Sequence, residues 1–177
     1  MTVRKEYSGI AIALHWSVAV FVVAMLVTAF QAWSSISEHT EIYWMKLHGS
    51  IGTCSIVLIA ARIFYHFRTK QPPALIAKPW ERTLAFIVHK VLLILLALQL
   101  VTGPADIWSG GWGIDVFGWL EIPPPFAKWD DVSHEVIGSV HRWTGIAIFF
   151  LVFFHTLAAL KHHWIDGDRT LRRMVGF

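Results

Sequence analysis

The sequence has 177 residues, 55% of them hydrophobic and 15% charged, with a formal net charge of +3. A soluble domain of this size carries about 25% charged residues, and the apolar residues here fall in long blocks, so the composition indicates an all-α membrane protein. The single cysteine, Cys54, excludes an internal disulfide, a Cys-ligated zinc site and a four-thiolate iron–sulfur cluster, and no C-x-x-C-H run for covalent haem attachment is present.

The first apolar block covers about residues 10–33, too long for a signal-peptide core, and is expected to be retained. The others cover about residues 47–67, 84–101 and 136–160. Each is long enough to cross a hydrocarbon core, which takes about 20 residues at 1.5 Å rise. A short polar loop (34–46) and a Pro-containing loop (68–82) join the first three. A long segment, 102–135, precedes the fourth. Its Pro104, Gly110-Gly111 and Pro123-Pro124-Pro125 are expected to break helices, and it is too polar to lie in lipid.

Charge orients this four-transmembrane-helix bundle. Arg4, Lys5, Arg62, Arg68, Lys70, Lys78, Arg82, Lys90, Lys161, Arg169, Arg172 and Arg173 lie toward one side, which is twelve of the 15 cations; Lys46, Lys128 and Arg142 are the other three. Positive residues accumulate in cytoplasmic loops, so both termini are expected to face the cytoplasm of a bacterial inner membrane. This bias accounts for the basic balance better than a nucleic-acid partner does. The ten tryptophans suit interfacial belts.

Ten histidines need a separate explanation. An ionisable group at membrane depth is expensive and by default functional. His15 lies near the cytoplasmic start of the first block and His48 near the periplasmic start of the second. His141 and His155 share the fourth. Fourteen residues is nearly four helical turns, so these two project from one face about 21 Å apart along the axis. His48 then matches the depth of His141, and His15 that of His155. Two levels result, each bringing two imidazoles from different helices together, as a six-coordinate haem iron requires. His134 and His162 continue the stripe, but pairing His134 with His155, or His141 with His162, separates the centres by about 31 Å, the full hydrocarbon thickness.

Around these histidines, Gly49, Gly52, Gly138 and Gly145 leave room for a porphyrin edge or let helices pack closely. Lys46 and Arg142 could neutralise outer propionates. Arg62, fourteen residues after His48, could do so at the inner level, or could snorkel to the interface. His89, His162 and His163 lie near the cytoplasmic side, either as proton carriers for a quinone or as ordinary interfacial residues. His39 and His66 have no motif and are expected to be solvated. Trp16 and Trp143 are expected to pack rather than relay electrons.

The sequence resembles the bacterial cytochrome b561 family, the small di-haem type related to hydrogenase cytochrome b subunits. The resemblance covers nearly the whole chain. It is carried by Leu14-His15-Trp16 and Lys46-Leu47-His48-Gly49-Ser50-Ile51-Gly52, then by His89, Thr102-Gly103, Phe117-Gly118 and Ile122-Pro123. The last carrying segment runs from His141 through Gly145 and His155 to His162-His163. The resemblance implies a single di-haem transmembrane cytochrome b domain over residues 1–177. It also implies two non-covalent b haems with iron ligands His15, His48, His141 and His155, and electron transfer coupled to quinone. Oxidation of superoxide at the periplasmic face with reduction of ubiquinone is the sharpest activity it implies. Where relatives often carry an acidic residue after the outer fourth-helix ligand, this chain has Arg142, which favours an anionic donor while the acidic outer loop opposes one.

Two other readings stay open at this stage. One is a haem anchor serving a partner hydrogenase or dehydrogenase, or a homodimer. The other is a histidine-lined metal transporter, which the apolar midplane of the fourth block (146–152) disfavours.

Overall fold

The computed structural model describes residues 6–75 and 78–176; Arg4 and Lys5, counted above among the cytoplasmic cations, lie outside the described residues. Helices α1 (Gly9–Trp33), α2 (Glu38–Arg68), α3 (Pro79–Ser109) and α4 (Asp131–Trp164) are each long and apolar enough to cross a membrane. A hairpin of β1 (Ile114–Val116) and β2 (Leu120–Ile122) sits between α3 and α4, and a short α5 (Thr170–Val175) closes the chain. Large apolar side chains point outward along every span, for example Phe30 at 61% and Val57 at 74% exposure. On a soluble protein such surface would be a liability; on a helix in hydrocarbon, with its backbone satisfied internally, it faces lipid.

Several element boundaries differ from the sequence expectation, α3 starting at Pro79 and α4 ending at Trp164 among them. The loop expected at 34–46 is mostly helix, because the Ser37 hydroxyl accepts from the Thr40 amide at 3.2 Å and Glu38 and Glu41 occupy the first turn of α2, where carboxylates favour the helix dipole. Helix α3 runs past Pro104 to Ser109 instead of ending at Val101. Proline removes one amide donor, but abandoning the helix would expose several backbone groups, so the membrane tolerates it. Helix α4 starts at Asp131, capped by Asp130, whose carboxylate accepts from the Ser133 amide at 3.0 Å. The Ser133 hydroxyl and amide hold the Asp130 carboxyl below its ordinary pKa.

The sequence did not suggest the hairpin. It pairs Ile114 with Ile122 and Val116 with Leu120, turning through Phe117 (φ 54°) and Gly118 (φ 74°). Glycine accepts positive φ freely, whereas a phenylalanine there stores strain. Contacts to α2 hold it. The Ser50 hydroxyl lies 2.8 Å from the Asp115 carbonyl and accepts from the Phe117 amide at 3.0 Å, and Lys46 pairs with Asp115 at 3.7 Å. Ser50 is one of the most buried side chains.

Helices pack as two pairs, α1 against α2 and α3 against α4, with α2 also touching α3 and the hairpin. Helix α4 approaches α1 and α2 only weakly. The N-terminal segment meets α5: Glu6 lies 3.7 Å from Arg169 and 3.5 Å from Arg173, and the Trp16 indole donates to the Met174 carbonyl at 2.6 Å. One end of the bundle therefore carries the hairpin, and the other carries α5 and the start of α1.

Candidate functional site: two histidine levels between the helix pairs

Where the helix pairs stand apart, histidines cross the interval. At the hairpin end, His48 of α2 and His141 of α4 have ring centroids 6.3 Å apart. At the terminal end, His15 of α1 and His155 of α4 are 6.4 Å apart. A metal-bound imidazole nitrogen lies about 2 Å from its ion and roughly 1 Å from its own ring centre, so two imidazoles on opposite sides of one metal hold their centroids about 6 Å apart. Both pairs have that separation.

The proton inventory agrees at the hairpin end. His48 Nδ1 lies 3.1 Å from the Met25 carbonyl and 3.0 Å from Thr28 Oγ1. A carbonyl only accepts, so Nδ1 carries the hydrogen and Nε2 keeps a free lone pair. The Thr28 hydroxyl hydrogen points back to its own helix, 2.9 Å from the Ala24 carbonyl and 3.0 Å from that of Met25. His141 is held the same way from α3. Thr102 donates to the Leu98 carbonyl at 2.8 Å, so its oxygen accepts from His141 Nδ1 at 3.0 Å. Gly103 brings α3 against this ring: a Cβ there would stand 3.1 Å from His141 Cε1. Donor nitrogens of the right tautomer, with the other ring nitrogen tied back, are what metal-binding histidines show.

The terminal end is built differently. Among the described residues, no hydrogen bond forms at a ring nitrogen of His15 or His155. A third imidazole, His89 of α3, stacks edge-on against His155 with centroids 5.1 Å apart. That is closer than two imidazoles on opposite sides of one metal stand, so His89 is a neighbour of the pair and not the opposite ligand of His155. Arg62 lies on this side as well, with one buried guanidinium nitrogen, Nη1, lacking any partner. A buried cation without an anion is unstable on its own; an acidic group belonging to a bound cofactor would satisfy it.

The remaining sequence candidates divide. Lys46 is committed to Asp115, and Arg142 is exposed. His134 sits at the end of the α3–α4 pair, 2.8 Å from Ser109 Oγ and 3.7 Å from Asp106. His162 is buried against Asp166 at 2.8 Å and Asp168 at 3.4 Å. Glu81, His162 and Asp166 form a metal-capable group, but Lys161 Nζ lies 2.7 Å from both carboxylates and fills the position of a cation. Lys161 also holds the Asp166 carboxyl below its ordinary pKa. His163 has a buried Nδ1 without a partner and borders a cavity of about 430 Å³ with Leu171, Arg172 and Val175. His39 is exposed, while His66, expected to be solvated, lies 3.1 Å from Lys90 Nζ. Trp16 stands edge-on to His15 at 5.5 Å, and Trp143 faces outward.

Sequence reasoning missed Thr28 altogether and met Ser50 and Thr102 only within family motifs. Single hydroxyls in an apolar helix carry no signal, because most bond back to their own helix.

A family model described as prokaryotic cytochrome b561 matches residues 6–177. The chain is 30% identical to cytochrome b561 homolog 2 of Escherichia coli K12, over 97% of this chain and 92% of that protein. It is also 30% identical to a probable superoxide oxidase CybB of Yersinia pestis, over 97% of each. Cytochrome b561 homolog 1 of E. coli K12 is 29% identical, again over 97% of each. The chain belongs to the prokaryotic cytochrome b561 family and is a multi-pass bacterial membrane protein of haem-based electron transport.

Proposed function

We propose that the chain carries electrons across the inner membrane through two b haems, from a periplasmic donor at the hairpin end to quinone at the terminal end. The observation that carries this reading is the equal spacing of the two imidazole pairs, 6.3 Å and 6.4 Å, across a gap between helices that otherwise barely touch. His48 with His141, and His15 with His155, would hold the two haems. Arg62 at the terminal end, and Arg142 and Lys46 at the hairpin end, would face the haem carboxylates. Bound haem would supply a one-electron couple, and with two histidines holding each group the chemistry would be outer-sphere electron transfer.

The chain's own residues do the rest. The helix pairs fix two levels about 21 Å apart along α4, fourteen residues at 1.5 Å each. The apolar turns between them exclude water. The cation bias supports a cytoplasmic terminal end. At that end, the cavity beside His163 and Arg172 suits a quinone head. His89 and His162 are further proton-handling candidates; His162 already has two carboxylates against it.

Superoxide is the donor this reading favours, because one relative is named a probable superoxide oxidase. Two superoxide anions would each lose one electron and leave as dioxygen, while ubiquinone takes two electrons and two protons to become quinol. A partner dehydrogenase or hydrogenase feeding the same site is the second reading. Purified protein should show a reduced-minus-oxidised b-type band with about two haems per chain. Stopped-flow mixing with superoxide should reduce it, and ubiquinone should speed reoxidation. A colourless protein sinks the whole reading; a coloured one that superoxide cannot reduce sinks the donor and favours a partner enzyme.

A further inference from the structure

The two histidine levels differ in how their rings are held, and this difference has a redox consequence. Hydrogen bonding from the Nδ1–H of a metal-bound imidazole raises the basicity of the coordinating nitrogen. A more basic ligand stabilises the oxidised iron and lowers its potential. At the hairpin end both Nδ1 groups donate, His48 to the Met25 carbonyl and Thr28, and His141 to Thr102. The threonine oxygens are good acceptors because their own hydrogens are committed to the helix carbonyls of Ala24 and Leu98. At the terminal end no such bond exists among the described residues.

We propose that Thr28 and Thr102 are positioning residues that hold His48 and His141 as Nδ1–H donors and so set the hairpin-end haem below the terminal-end haem in potential. This inference rests on the haem-ligand reading above. It makes the hop from the donor side to the quinone side downhill, with the direction written into two hydroxyl groups.

The two threonines are not equivalent. His48 keeps the Met25 carbonyl when Thr28 is lost, whereas Thr102 is the acceptor the structure gives His141 Nδ1. Thr102→Val, nearly isosteric, should therefore have the larger effect.

The test is a potentiometric titration of the purified holoprotein, wild type against Thr28→Val, Thr102→Val and Thr102→Ser, followed at the haem bands and by low-temperature EPR of the ferric ligand field. At an ambient potential equal to the lower wild-type midpoint, the reduced-to-oxidised ratio of that haem should rise severalfold in Thr102→Val and less in Thr28→Val. It should return toward wild type in Thr102→Ser, and the higher-potential component should stay in place. Should Thr102→Val fail to retain haem, Thr28→Val carries the test. If neither component moves, if the higher one moves, or if both move together, the proposal is overturned while the two-haem reading stands. Absence of haem from the wild type overturns the parent reading instead.

Discussion

The hairpin end and the terminal end of the bundle solve one geometric problem with different surroundings. Each sets two imidazoles from opposed helices about 6 Å apart, yet among the described residues only the hairpin end ties its rings back by hydrogen bonds, and a strand pair docks on α2 at that end. The terminal end instead sets a third histidine beside its pair and holds the half-buried Arg62 and, next to His163, an open cavity. A braced centre keeps one geometry through each change of charge. A centre beside titratable groups and open volume can exchange protons with a small molecule. Under the proposed function the contrast would separate electron entry from proton-coupled exit, and the largest expected effects come from removing one level at a time. His141→Ala should cost about half the haem and abolish reduction by an external donor. His155→Ala should cost the other half, leave donor-driven reduction of the remaining haem rapid, and stop transfer to quinone. Pyridine haemochrome quantification with donor-pulse kinetics checks both, and identical phenotypes would erase the contrast.

A smaller, sharper perturbation acts on packing alone. Gly103→Ala puts a methyl group 3.1 Å from His141 Cε1, on a ring that Thr102 already fixes. Alanine favours the helix by about 1 kcal/mol, but crowding an immobile group costs about 1–3 kcal/mol, so a net loss is expected with a shift in the hairpin-end spectrum alone. Gly9→Ala is the control: nothing stands within 4 Å of its methyl, and that variant should bind haem like the wild type.

The legibility of this architecture in the sequence follows the same division. Long apolar blocks and a fourteen-residue histidine interval obey rules that context seldom overrides, because hydrocarbon punishes stray charge and unpaired backbone. The spans and the proximity of His48 to His141 and of His15 to His155 could therefore be read early. The ends of spans obey weaker rules. Glu38 to Lys46 looked like a loop because it is polar, yet a serine cap and two first-turn carboxylates continue α2 through it. Pro104 looked like a stop, yet a missing donor in mid-helix costs less than leaving the helix. The hairpin was invisible because its strands are three residues long and its turn places a phenylalanine at positive φ, against the Asn-Gly and Asp-Gly preferences of such turns. Thr28 was invisible, and the role of Ser50 unreadable, for another reason: a hydroxyl's role depends on which neighbour arrives, and the neighbours come from other elements.

Ser50 gives the next prediction. Ser50→Ala leaves the Phe117 amide without its acceptor and releases the strained turn, at a cost of about 1–3 kcal/mol. The hairpin should become cleavable by protease added on that face, while the haem content of the terminal-end pair is unchanged. Resistance equal to wild type would mean that Lys46–Asp115 and the strand pairing hold the hairpin unaided.

The smallest effect concerns acid at the terminal end. Lys161 donates to Asp166 and holds its carboxyl below the ordinary value of 3.8, so the folded turn between α4 and α5 binds fewer protons there than the loosened one. Stability from this contact is then fully present above the ordinary carboxylate range and is lost as pH falls through the depressed folded value. Asp166 is solvent-accessible, so screening keeps the contribution small. Hydrogen exchange across residues 165–175 should quicken at strongly acid pH before exchange changes in the hairpin, whose contacts to Ser50 carry no titrating group. Asp166→Asn should show at neutral pH the faster exchange that the wild type reaches only in acid. If that variant exchanges like wild type at every pH, the turn is held by the Arg173 contacts to Glu6 and the Pro73 carbonyl. The terminal end would then owe its order to α5 docking rather than to the charges that close α4.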